Sequence, residues 1–149
     1  MNIQLPYNIW TWRSFTPTGA WTTNTTYTGV WRRVGDSMEF RVRMAFSGTP
    51  DAGDLTVNIP SGFTIDTAKL NGTTVATQCL GHGRAMDAAA TGHYIIECAY
   101  NSTTSVALMY NGTPNGGFVN RTNPFSFGAG GGTDEISIVV VIPISGWAP

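Results

Sequence analysis

His82 in "GHGR" and His93 in "TGHY", with Glu97, Asp87, Cys79 and Cys98, are the side chains from which a metal centre would have to be built. Zinc ligands come at paired spacings such as Cys-x-x-Cys or His-x-x-x-His, and neither occurs here. Strand-like alternation along "HYIIECAY" also sends Cys98 to the face opposite His93 and Glu97. Nucleophilic catalysis has no better footing. There is no G-x-S-x-G elbow, and the closeness of Cys79 to His82 in sequence says nothing about triad geometry. Asp51 and Asp54 in "DAGD" suit either a calcium ion completed by backbone carbonyls or a turn in which Asp supplies local hydrogen bonds; the turn is the simpler reading. These residues lead us to expect no catalytic residue, no metal and no cofactor.

The remaining concentration of chemistry is basic. "WRRVGDSMEFRVRMAF" places Arg32, Arg33, Arg41 and Arg43 within twelve positions, half of the chain's eight basic side chains. Nucleic-acid binding needs several net phosphate contacts and a basic field. The chain has a net charge of −1, and Glu39 and Asp36 sit among these arginines. Nucleic acid is therefore not an expected partner. Arg41 and Arg43 alternate with Phe40, Val42 and Met44, so they point away from a core and toward protein carboxylates that can take guanidinium in bidentate fashion.

The elements that position these side chains are strands. Met38, Phe40, Val42, Met44 and Phe46 share one face of "SMEFRVRMAF", a period of two held over ten residues. "GVWRRV" precedes it across Gly35-Asp36, a tight-turn dipeptide. "DLTVNIP", "TTVATQCL", "HYIIECAY", "SVALMY", "PFSFG" and "EISIVVVIPI" read as further strands, and no helix of ten residues emerges. About eight short strands separated by Gly, Asn, Asp and Pro predict an all-β sandwich of jelly-roll type. "GAGGGTD" and "NGTPNGGF" are glycine-rich loops without the Lys-Ser/Thr of a phosphate-binding loop. Residues 1–29 carry Trp10, Trp12, Phe15, Trp21 and Tyr27 without sustained alternation, too many aromatics for a solvated tail. They are read as an extended arm that lies on its own sheet or on a neighbour, and residues 30–149 as the sandwich domain.

At 149 residues and 11 % charged side chains, the chain suits one domain that is more comfortable in an assembly than alone. Seven of the eight basic residues are Arg, the cation enriched at interfaces. No apolar window reaches the roughly 18 residues of a membrane-spanning helix, and "MNIQLPYNIW" lacks the n- and h-regions of a signal peptide. Synthesis in a cytoplasm is expected, with Cys79 and Cys98 reduced and the five Asn-x-Ser/Thr sequons serving as turn chemistry. Exposed aromatics could stack sugars or anchor an interface; for Trp10, Trp12 and Trp147 the interface is preferred.

Three segments carry a resemblance. Trp31, Arg33, Gly35 and Asp36 form a W-x-R-x-G-D turn, Ile59, Pro60, Ser61 and Gly62 form an "IPSG" segment, and Pro143, Ile144, Gly146 and Trp147 form a closing "PISGW". Over residues 27–147 the chain resembles β-rich structural proteins of tailed bacteriophages. The resemblance implies a domain like the tumour-necrosis-factor head, found as a homotrimer in fibre tips and capsid decoration proteins. With a short arm and no shaft repeat, it implies a cement protein on the capsid surface of the virion, contacting the major capsid protein. Trp10, Trp12, Arg13, Arg41 and Arg43 are then expected to meet the capsid or a neighbouring subunit. Phe125, Phe127, Val139, Val141 and Trp147 are expected at the trimer interface. The runner-up is a fibre head whose loops read a host surface glycan.

Overall fold

The computed structural model describes residues 11–74, 77–112 and 116–149. Nine strands follow in chain order: β1 (Arg13–Phe15), β2 (Thr25–Val34), β3 (Ser37–Phe46), β4 (Thr56–Asn58), β5 (Cys79–Asp87), β6 (Gly92–Ser102), β7 (Ser105–Tyr110), β8 (Gly117–Phe118) and β9 (Asp134–Pro143). All strand pairings are antiparallel, in the order β1-β2-β3-β9-β5-β6-β7-β4, with β8 on β7. The expected all-β class is what forms. The jelly-roll winding is a finer statement that this strand order does not establish.

Local sequence explains the strongest pair. Gly35, at φ +62°, and Asp36 make a two-residue turn, so Val34 faces Ser37 and the register runs unbroken to Thr25 opposite Phe46. β3 then pairs over its whole length with β9, Ser37 opposite Pro143 through Phe46 opposite Asp134. The alternation seen in sequence is obeyed: Met38, Phe40, Val42, Met44 and Phe46 are buried, as are Ile136, Ile138, Val140 and Ile142 of β9.

The chain directly after β1 draws the two ends of the sheet together. Gly19 bridges to Val57, the Ala20 amide donates to the Thr56 carbonyl at 3.0 Å, and the Asn58 amide donates to the Thr18 carbonyl at 2.8 Å. A Cβ on Gly19 would sit 2.4 Å from the Thr56 carbonyl oxygen, so the approach needs glycine. Trp21 then drops into the core, fully buried, with its ring edge-on to Phe46 and Phe127, both at 5.5 Å between centroids. The described part of the expected arm, residues 11–29, is thus woven into the chain's own sheet and core, and β2 runs continuously from Thr25 through the 29/30 boundary.

Phe125 and Phe127 correct an expectation. Proposed for a subunit contact, they lie only 4.1 Å apart in the core, 8 % and 1 % exposed, with Tyr94 stacked on Phe125. Their rings fill the chain's own interior and have no surface to offer a neighbour. Asp134, 1 % exposed, holds the nearby loops by accepting from the Ala88 amide at 2.8 Å and the Gly128 amide at 2.7 Å. A buried carboxylate satisfied by two main-chain donors is a structural clasp.

Candidate contact surface on the outer sheet face

The residues that alternate with the core face form one continuous outer surface. Register lines them up in rows across the strands. One row runs Thr28, Arg43, Ser137, Arg84, Ile95; the next runs Ser14, Val30, Arg41, Val139, His82, Glu97; a third holds Arg32, Glu39 and Val141. Val141 is 50 % exposed and Ile95 67 %. The double-sided apolar character of β9 therefore leaves Val141 exposed and Val139 partly exposed on its outer side in the single chain.

Glu39 organises the basic end of this face. It is 8 % exposed and takes Arg32 on Oε2, from Nε at 2.8 Å, and Arg41 on Oε1, from Nη2 at 2.9 Å. Burial pushes the Glu39 carboxyl up, but hydrogen bonds from Arg32 and Arg41 outweigh it and leave the pKa below the ordinary carboxylate value. The same two guanidinium groups lie 4.6 Å from the Trp12 ring centroid. One indole and one carboxylate thus hold two arginines, a geometry in which cation–π attraction and ion pairing reinforce each other. Arg43 forms a two-point pair with Glu135 of β9, through Nε at 3.0 Å and through Nη2, which raises the Arg43 pKa by hydrogen bonding and charge.

Beside this cluster is an open groove of about 490 Å³, lined by Ser14, Thr16, Thr28, Arg41, Arg43 and Ser137 among others. It lies where β1 ends and the segment that follows it parts from β2 and crosses to β4. The four hydroxyls take no part in the side-chain hydrogen bonds among the described residues, in contrast to Thr22, Thr23 and Ser37, which do.

Of the residues expected to touch a capsid or a neighbour, Trp12, Arg41 and Arg43 come together here. Arg13 does not: it is paired with Trp31 in register, points to the other face, and stacks on the Trp31 ring at 5.1 Å. Trp10 lies outside the described residues. Trp147, expected at a trimer contact, is instead half-buried in an aromatic latch with Trp31 and Phe63, at centroid distances of 6.3 and 5.4 Å. Arg33 covers the Trp147 ring at 4.8 Å and donates to the carbonyls of Gly35 and Ala148, both at 2.7 Å. Around it the Ile144 amide donates to the Asp36 carbonyl at 3.0 Å, Ile65 bridges to Ile144, and Lys69 donates to the Asp36 carboxylate at 2.9 Å. The W-x-R-x-G-D turn, the chain just after "IPSG" and the "PISGW" ending are three parts of one latch, which accounts physically for those motifs.

The other candidates resolve to structural roles. The Asp51 carboxylate accepts from the amides and hydroxyls of Thr22 and Thr23, and these bonds, the Thr23 amide foremost, pull its pKa down to about 2. Asp51 thus ties its loop to a segment 28–29 residues away, where the turn reading of "DAGD" has Asp supply local hydrogen bonds. Cys79 is exposed and Cys98 buried, both free, and burial raises the Cys98 thiol pKa. Among the described residues no three His, Cys, Asp or Glu side chains gather as a metal site would require. Sequence reasoning leaves Arg32 out of the expected contact residues, and it places Trp12 among them without bringing it to the arginines. The two-residue turn at Gly35-Asp36 carries the signal for Arg32, because it sets Arg32 opposite Glu39; nothing in sequence spacing brings in Trp12. No known protein family, characterised protein or solved structure matches the chain.

Proposed function

We propose that the chain is a non-enzymatic structural protein of a phage virion, a trimeric decoration protein that binds the assembled capsid through its outer sheet face. One observation supports this most: Trp12, distant in sequence from Arg41 and Arg43, joins them in a single patch beside the exposed Val141 and the partly exposed Val139. Aromatic and arginine side chains next to exposed aliphatics are the composition of an interface centre. Arg32 and Arg41 are held by Glu39 before any partner arrives, so less side-chain freedom is lost on docking. The mechanism is linkage: a protein that binds the finished shell and not its free subunits shifts the equilibrium toward the shell.

Two measurements test this. Immunogold electron microscopy of virions carrying the chain should label the capsid at hundreds of copies; label confined to the tail overturns the decoration role. Arg41→Glu with Arg43→Glu should abolish co-sedimentation with shells while the circular dichroism stays that of a β protein. Undiminished co-sedimentation would remove the outer face from the interface. Sedimentation of the shell-bound protein after gentle cross-linking should give trimers.

A further inference from the structure

The groove beside the arginine cluster shows what part of a partner would enter it. Arg41 spends Nε and one Nη2 hydrogen on Glu39, and Arg43 spends the same two donors on Glu135. A guanidinium has five N–H groups, so each arginine keeps three for a second acceptor. Both side chains are about half exposed, at 53 % and 50 %. They stand two residues apart on β3, roughly 6.6–6.8 Å along an extended strand. Between and beside them lie Ser14, Thr16, Thr28 and Ser137, hydroxyls that both donate and accept.

We propose that this groove binds an extended acidic segment of a partner protein, with carboxylates at alternate positions on Arg41 and Arg43 and main-chain amides on the groove hydroxyls. The spacing selects this occupant. An extended chain presents every second side chain on one side at the same repeat as β3, so a Glu-x-Glu segment meets both guanidinium groups at once. Its peptide N–H and C=O groups need both acceptors and donors, which hydroxyls supply and a wall of arginine alone does not. Glu39 and Glu135 already engage the Nε edge of each guanidinium, which fixes the side chain and leaves its other donors for an incoming carboxylate. This assignment rests on the reading that the outer face meets protein.

The test uses the full-length protein and the peptide acetyl-Thr-Glu-Thr-Glu-Thr-amide, followed by NMR of the arginine Nε–H and Trp12 indole signals. Addition should shift Arg41, Arg43 and Trp12 together and leave Trp147 in place. Replacing one Glu by Gln in the peptide, or Arg43→Gln in the protein, should weaken binding about tenfold, as loss of a charged hydrogen bond does. Ser137→Ala, a variant that leaves all named ion pairs intact, should weaken it about threefold, on the scale of one neutral hydrogen bond. Equal binding of acetyl-Thr-Glu-Glu-Thr-Thr-amide would overturn the alternate spacing, and tighter binding of trigalacturonate would make the occupant an acidic saccharide instead. Peptide binding by a protein that decorates no shell leaves the groove assignment standing and removes the capsid role. Shell binding by wild type that Arg43→Gln does not reduce removes the groove assignment alone.

Discussion

Two tryptophans near opposite ends of the chain sit in arginine-rich clusters and do different work. Trp147 is locked with Trp31 and Phe63, three rings within 6.3 Å of one another, and closes one end of the sheet. Trp12 touches two guanidinium groups and belongs to no aromatic cluster among the described residues. The difference is in what each loses when exposed to water. Aromatic rings packed on rings gain from burial and from edge-to-face geometry. A cation–π contact at a half-exposed site contributes well under that. The latch therefore serves the fold, and the Trp12 cluster is free to serve a partner.

Trp31→Ala should break the latch and produce the largest effect, about 3 kcal/mol at the low end for a large aromatic truncated in a packed cluster. Urea unfolding followed by circular dichroism would show it as a lowered midpoint. A change below about 1 kcal/mol would mean the latch is ornamental. Glu39→Gln attacks the other cluster at its most buried point. It should cost about 2 kcal/mol, since the four charge-assisted bonds it accepts from Arg32 and Arg41 are lost or weakened.

The same carboxylate sets the acid response. Its folded pKa lies below its unfolded value. Its stabilisation is therefore complete above the unfolded glutamate pKa of about 4.3 and drains away as pH falls through the lower folded pKa. Asp51, at about 2, follows the same sign, losing its contribution between roughly pH 4 and 2. Acid titration of wild type against Glu39→Gln should show a smaller loss of stability below pH 4 in the variant; identical curves would exclude Glu39 as a source.

Trp12→Ala should cost about 1 kcal/mol, the scale of cation–π contacts near a surface. Its larger consequence should be on shell binding. Arg43→Gln should be the mildest for the fold, with an unfolding midpoint close to that of wild type, because its ion pair with Glu135 is exposed. If Trp12→Ala destabilised as much as Trp31→Ala, the division between a latch and a contact surface would collapse.

Much of the frame was legible from alternation. The β3 pattern put Arg41 and Arg43 on the outer side and five apolar side chains inside, and that is where they lie. Gly35-Asp36 foretold the hairpin because few dipeptides turn so tightly. The same logic separated Cys98 from His93. It failed where facing depended on partners distant in sequence. "PFSFG" alternates as a strand should, but Phe125 and Phe127 are not in a strand and fill space beside Trp21 and Phe46. Arg13 and Trp12 are neighbours in sequence, and the pairing of β1 on β2 sends them to opposite faces.

The sequence by itself determined what each strand could bury, because a period of two is a property of the backbone and needs no tertiary partner. It also determined the tight turn and the mixed charge of the outer face. Tertiary structure alone decided which rings are core and which are surface, that three separated motifs close one latch, and that Trp12 stands beside Arg41. Those outcomes depend on which strand lies next to which, and on long-range closure such as Gly19 against Val57, which no local spacing encodes.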